Sequence, residues 1–327
     1  MLKNIKVLPL AAESLGVRSM CTFVETRDLR ILLDAGVSLC PNRFGLPPHP
    51  HEFRAISECR RRIAEAARKS EIVTISHYHF DHHTPSFEDW LCNWTNRSET
   101  AMQIYAGKTV LMKNPKESIN PSQRRRGWMF ERTGGKFADK LDYSDGKAYF
   151  YKETKIRFSE PVYHGADDSF LGWVIMVVIE SDGEKFLFAP DVQGPMSTRT
   201  LEMITREKPH TLMIGGPPSY LAQNKINEEQ VEAGLRNLAR LAETVSFIIV
   251  EHHLLRDEKW REKAEKVLTI AEKSGHEIVT AAEFLGKDNQ FLEACRKRLY
   301  LESPPSDSFG KWMRTDDEAK KHEKPPI

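Results

Sequence analysis

His77-Tyr78-His79-Phe80-Asp81-His82-His83, directly after the apolar run Ile72-Val73-Thr74-Ile75, decides how this chain is read. Four imidazoles and a carboxylate fall within seven residues. Imidazole nitrogen and carboxylate oxygen are ligands that divalent zinc prefers. A strand ending in such a cluster holds its ligands on a rigid edge and leaves the far side open to a pocket. Side chains alternate along an extended segment, so His77 and His79 share a side and can grip one ion. Asp81 and His82 follow after the chain has turned and can reach a second ion beside it. The pattern points to metal-dependent hydrolysis.

Upstream of this stretch, residues 51–69 carry Phe53, Ile56, Cys59, Ile63 and Ala66 at steps of three and four, which predicts a helix feeding a strand over 71–76. Ile5–Leu10, Met20–Val24 and Ile31–Leu33 read as three strands, and the Pro- and Gly-rich 41–50 as loop. Downstream, short helices are expected over 87–94 and 123–132 and a strand over 109–112. Strands follow over 147–151, 156–158, 171–180 and 185–189, the last two joined at Asp182-Gly183, a strong hairpin signal. The C-terminal third alternates: helices over 198–206, 228–243, 258–273 and 289–299, with strands over 211–214 and 245–250. Such alternation suits a layered α/β protein whose sites lie beyond strand ends. Residues 1–302 are expected to form one domain. The proline- and charge-rich 303–327 is expected to be a partly disordered tail.

Three more polar groups sit at strand ends: His164 after Pro161-Val162-Tyr163, Asp191 in Ala189-Pro190-Asp191, and the pair His252-His253 after Val250-Glu251. Asp34, at a strand end before Ala35-Gly36, reads as a turn former or as the acceptor that steadies a ligand histidine. The HxHxDH cluster, a lone His, a strand-end Asp and a final strand-end His, in this order, resemble the metallo-β-lactamase superfamily over about residues 5–275. The details Asp81-His82-His83, Ala189-Pro190-Asp191, Gly215-Gly216-Pro217-Pro218 and Glu251-His252-His253-Leu254-Leu255-Arg256-Asp257 are similar to an archaeal family of predicted hydrolases of that superfamily, UPF0282.

The resemblance implies an αββα sandwich and two divalent metal ions, zinc by preference, with iron or manganese as alternatives. His77, His79 and His164 would hold the first ion. Asp81, His82 and one of His252 or His253 would hold the second, and Asp191 would bridge them. Two such ions lower the pKa of a shared water and stabilise a developing oxyanion. Asp81 could also orient the attacking water. His83, outside the ligand pattern, reads as a supporting or substrate contact. The interval from Asp191 to His252 is too short for the extra domain of the β-CASP nucleases.

Composition bounds the partners. The 48 Lys+Arg against 47 Asp+Glu leave a net charge of +1, which gives no global pull toward nucleic acid or membrane. Five scattered cysteines, without a CxxC pair, argue against a disulfide framework. No signal-peptide core or membrane-length apolar run is seen, so the cytoplasm is the expected compartment and no membrane partner is expected. The substrate is expected to be a small molecule or nucleic acid. Arg124-Arg125-Arg126, near Trp128 and Arg132, tips the expectation to a phosphodiester, with Arg124 and Arg125 as substrate contacts. The bland reading of that segment is a solvated helix face. The competing functions are ester, thioester or lactone hydrolysis and a non-catalytic RNA-binding scaffold.

Overall fold

The computed structural model describes residues 2–221 and 227–327. One mixed sheet runs β1 (Lys6–Pro9), β2 (Thr22–Glu25), β3 (Arg30–Leu33), β4 (Ile72–Ile75), β5 (Thr109–Met112) and β6 (Lys140–Tyr143), in that spatial order. Its first three strands are antiparallel and β3 to β6 are parallel. The second sheet takes β7 (Ala148–Tyr151), β8 (Thr154–Phe158), β11 (Val177–Ser181), β12 (Glu184–Ala189), β13 (Thr211–Gly215), β14 (Phe247–Glu251) and β15 (Glu277–Val279) from edge to edge. Here β12 to β15 are parallel and the rest antiparallel. A two-stranded piece, β9 (Val162–Tyr163) with β10 (Trp173–Val174), stands apart.

Strand alternation sorts the apolar residues into three cores. Ile31 and Leu33 of β3 meet Val177, Ile179, Phe186 and Phe188 of the second sheet between the two sheets. Leu32, Val73 and Ile75 point the other way, onto Phe53, Ile56, Cys59 and Ile63 of α1 (Pro50–Lys69). On the opposite side Leu187, Leu212, Ile248 and Val250 pack on α4 (Thr198–Glu207), α5 (Glu228–Ala242) and α7 (Glu265–Lys273) through Ile204, Leu238, Leu241 and Val267. Each such aliphatic or aromatic side chain contributes ~1.5–3 kcal/mol on burial. Helix, sheet, sheet, helix is therefore the layer order. α1 starts where His49 caps it, in a capping box with Glu52 and with Pro50 as first residue, and it ends in Arg68 and Lys69, which suit the helix dipole. Among the described residues no helix is long and apolar enough to cross a membrane.

Several elements differ from the expectation. Residues 87–94 are turns, because the Asp89 carboxylate accepts from the backbone N–H groups of Leu91 (3.0 Å) and Cys92 (2.9 Å) and from the Asn93 side chain (2.6 Å). The helix lies just beyond, as α2 (Arg97–Tyr105). α3 (Pro121–Arg132) starts at its Asn120 cap, two residues earlier than read. The strand read over 171–180 is broken between β10 and β11, where Ile175 N–H donates to Ser76 O across the sheets at 3.1 Å. The helix read over 258–273 splits at Ala264 into α6 (Trp260–Lys263) and α7.

After α8 (Ala281–Phe284), Gln290 donates to Ser14 O, so α9 (Arg296–Glu302) begins well after 289. The tail read as loosely attached carries α10 (Asp307–Met313) and α11 (Asp317–His322). Phe309 and Trp312 of α10 are buried against Phe53, with ring centroids 6.0 and 5.5 Å away.

Candidate metal centre

The parallel strands of both sheets end at one edge, and the site is built there. β3 delivers Asp34, β4 delivers the 77–83 loop, β9 delivers His164, β12 delivers Asp191 and β14 delivers His252 and His253. Parallel strand order places the C-terminal ends of β3 and β4, and of β12 and β14, together, as in other open α/β sheets, and the separate β9–β10 pair adds His164. Three of the residues turn through the left-handed region: Asp34 (φ 47), Asp191 (φ 52) and His252 (φ 65). A non-glycine residue there is uncommon and is held by its surroundings.

The Asp191 carboxylate is the hub. Its Oδ2 lies 3.1 Å from His77 Nε2, 2.9 Å from His164 Nε2, 3.2 Å from His82 Nε2 and 4.0 Å from His79 Nδ1. Its Oδ1 lies 3.1 Å from His252 Nε2 and 3.2 Å from His253 Nε2. Asp81 Oδ2 lies 3.4 Å from His252 Nε2. Ligand atoms close enough to share one ion form the groups His77-His79-His164-Asp191 and Asp81-His82-His252. His253 clusters with Asp191 and His252, and no group joins it to Asp81 or His82.

Asp34 steadies the set from beneath. It accepts from His82 Nδ1 (2.8 Å), from Ser76 N–H (2.8 Å) and from Ser76 Oγ, and that hydroxyl is 3.0 Å from His77 Nδ1. With Ser76 Oγ donating to Asp34, it can accept from His77 Nδ1–H. Both imidazoles are then held with Nε2 facing Asp191. Arg256 supports the other side: Nε donates to Glu13 (2.6 Å) and Nη1 lies 3.0 Å from His253 Nδ1 and 3.3 Å from Tyr220 Oη. Gln193 Nε2 lies 3.4 Å from His164 Nδ1. Sequence reading assigned no role to Ser76, Arg256, Glu13 or Gln193. Arg256 and Glu13 have no ligand spacing to betray them, since 243 residues separate them.

The electrostatics are those of a buried anion ringed by imidazoles. Burial alone would raise the Asp191 pKa, yet His252, His164 and His82 hold it well below the usual carboxylate range. Burial alone would lower His82, but Asp191 and Asp34 carry it up to about 9. His77 and His79 are pushed down by burial. Four buried atoms of this cluster, His82 Nε2, His164 Nε2, Asp191 Oδ1 and His253 Nε2, lie close to one another or to Asp191 Oδ2 yet make no well-aligned hydrogen bond. Unpaired buried polar atoms are costly, and here they converge on shared points between nitrogen and oxygen donors. The donor set therefore fits divalent metal ions of the zinc type.

Three expected substrate contacts are not at this centre. His83 is buried, donates from Nδ1 to His79 O at 2.9 Å, and packs on Tyr78, Phe80 and Phe130. It braces the ligand loop from inside, and burial pushes its pKa down to about 3. Arg124 and Arg125 are exposed on α3, and Arg124 donates to Lys116 O on that outer face. Consecutive helical residues diverge by about 100°, so neighbours in the arginine run face different surroundings.

No protein-family model matches the sequence. The chain is 38% identical over 313 residues to the UPF0282 protein of Korarchaeum cryptofilum, which spans 96% of this chain and 100% of that one. It is 39% identical over 307 residues to the UPF0282 protein of Methanocaldococcus jannaschii, spanning 94% and 100%. Among solved structures it is similar to a variant of the CmlA β-hydroxylase, with 13% identity, TM-score 0.50 and 86% of this chain covered. The chain spans about half of that protein, 52% of its length. It is also similar to Tm1679, a metal-dependent hydrolase of the β-lactamase superfamily, with 10% identity, TM-score 0.44, and 84% and 95% of the two chains covered.

Proposed function

The chain belongs to the UPF0282 family and has the metallo-β-lactamase fold, and from this premise we propose that it is a metal-dependent hydrolase with two divalent ions, zinc by preference, acting on a phosphodiester. His77, His79 and His164 would hold the first ion in this reading, Asp81, His82 and His252 would hold the second, and Asp191 would serve both. The observation that carries the reading is the convergence of imidazoles on the Asp191 carboxylate, His77, His82 and His164 on Oδ2 and His252 on Oδ1. Ions bound there would supply Lewis acidity and a water of lowered pKa.

The chain's own groups do the rest. Asp34 and Ser76 hold two imidazoles by Nδ1 with Nε2 toward Asp191, the nitrogen each would offer a metal. Asp81, whose side chain is 15% exposed, is the more accessible carboxylate of the set and orients the attacking water by accepting its hydrogen bond. His253 turns Nε2 to Asp191 Oδ1 at 3.2 Å while Arg256 lies at its other nitrogen. It lines the second nest without completing it.

The test is metal analysis of natively purified protein, followed by hydrolysis of bis-p-nitrophenyl phosphate and of a thioester. Two ions per chain and diester cleavage that disappears in His79→Ala are the expected result. Thioester cleavage without diester cleavage would move the substrate to the ester class. Protein that binds no zinc, iron or manganese and cleaves neither would leave a scaffold.

A further inference from the structure

We propose that Arg126, stacked on Phe80, is the seat for the substrate's phosphoryl oxyanion and sets the preference for anionic over neutral esters. This deepens the hydrolase reading and rests on it for the word substrate. The geometry starts from α3. Gln123 Oε1 accepts from Tyr78 N–H at 3.3 Å, and a Cβ on Gly127 would lie 2.6 Å from Pro115 Cβ and 2.9 Å from the Tyr78 ring. The helix backbone is thus pressed against the ligand loop, and only glycine permits that approach. Arg126, between these two residues, is turned inward while Arg124 and Arg125 stay exposed.

Its guanidinium lies 4.8 Å from the Phe80 ring centroid, and Nη1 reaches Tyr78 O at a long 3.4 Å. Phe80 stands between His79 and Asp81, one from each proposed nest. The ring is itself buttressed by Phe87 at 5.2 Å. Among the described residues Arg126 forms no salt bridge, although it is half-buried. The carboxylate whose charge it feels is that of Asp81.

A half-buried guanidinium with most of its five N–H groups uncommitted, set over an aromatic ring, can donate to two oxygens of one anion. A phosphodiester carries a full charge on two equivalent oxygens. A neutral ester or lactone offers nothing for this group to bind. The same side chain used for packing alone would tolerate glutamine.

The probe is inorganic phosphate, titrated calorimetrically into the metal-loaded full chain. Wild-type protein should bind it, Arg126→Gln should weaken binding by about tenfold or more, and Arg126→Lys, which keeps the charge without the planar fork, should fall between. Metal content and melting temperature are measured on the same samples. In turnover, Arg126→Gln should raise KM for bis-p-nitrophenyl phosphate by a similar factor and leave KM for p-nitrophenyl acetate unchanged. Phosphate binding that is absent in the wild type, or equal in Arg126→Gln, overturns the proposal. So does an equal loss on both esters. If no ester is cleaved and phosphate binding still depends on Arg126, the anion seat stands and the hydrolase reading falls.

Discussion

Asp34→Asn is expected to weaken metal binding at both nests although Asp34 belongs to neither. Asparagine has nearly the same volume and tolerates the left-handed backbone at this position, so the change isolates charge and hydrogen bonding. Asp34 is fully buried and accepts three hydrogen bonds, from His82 Nδ1, Ser76 N–H and Ser76 Oγ. An asparagine oxygen can keep some of them, while its NH2 faces a donor or forces His82 to present Nδ1 bare and Nε2 protonated. A protonated Nε2 cannot ligate. Each buried donor left unpaired costs ~1–3 kcal/mol, and loss of a partner behind a ligand histidine typically costs about 10–100-fold in metal affinity. Zinc affinity read by chelator competition should fall within that range, and the chelated protein should melt lower. Ser76→Ala should spare His82 and weaken the His77 nest alone. Wild-type zinc affinity at both sites in Asp34→Asn would refute the argument that one carboxylate sets both tautomers.

Three more outcomes follow from the geometry. His252→Ala should reduce zinc stoichiometry from two to one per chain in elemental analysis, whereas His253→Ala should keep both ions, since it joins no group with Asp81 or His82. Gly36→Ala should destabilise the fold by ~1–3 kcal/mol or more and lose metal with it, because a Cβ there would lie 2.3 Å from His83 N and 2.4 Å from His82 N; a wild-type melting curve would count against this packing.

Burial would raise the Glu293 pKa, but Arg18, at 2.6 Å, with Arg256 and Arg296, holds it well below its ordinary 4.5. A depressed folded pKa stabilises above the unfolded value and is lost as pH falls toward the folded one. Glu293→Gln should therefore cost roughly 3 kcal/mol at neutral pH, a gap in urea midpoint that narrows below pH 4.5. A gap that is constant with pH would contradict it.

Much of this was legible in the sequence because strong periodicity and local chemistry agreed. The helix over 50–69 has apolar spacing, a cap and basic last residues, and the strand before His77 is bounded on both sides. The ligand candidates were visible because each sits at a strand end, where a polar residue interrupts an apolar run. What was hidden depended on partners far along the chain. Asp89 gathers its own turn and displaces a helix by several residues. Ala264 and Ile175 break elements whose apolar pattern is continuous. In the C-terminal segment two aromatics three residues apart, Phe309 and Trp312, outweigh a charged composition by finding Phe53. Sequence reading chose Arg124 and Arg125 as the substrate contacts and passed over Arg126, which only the close approach at Gly127 sets apart.

The left-handed turns at Asp34, Asp191 and His252 have a price in foldedness. Each L-residue held there gives up roughly 1 kcal/mol relative to glycine, so the candidate metal centre carries a share of the backbone strain of this chain. At Asp34 the hydrogen bonds the carboxylate accepts offset that cost, so relief through glycine is open only where a side chain is no longer needed.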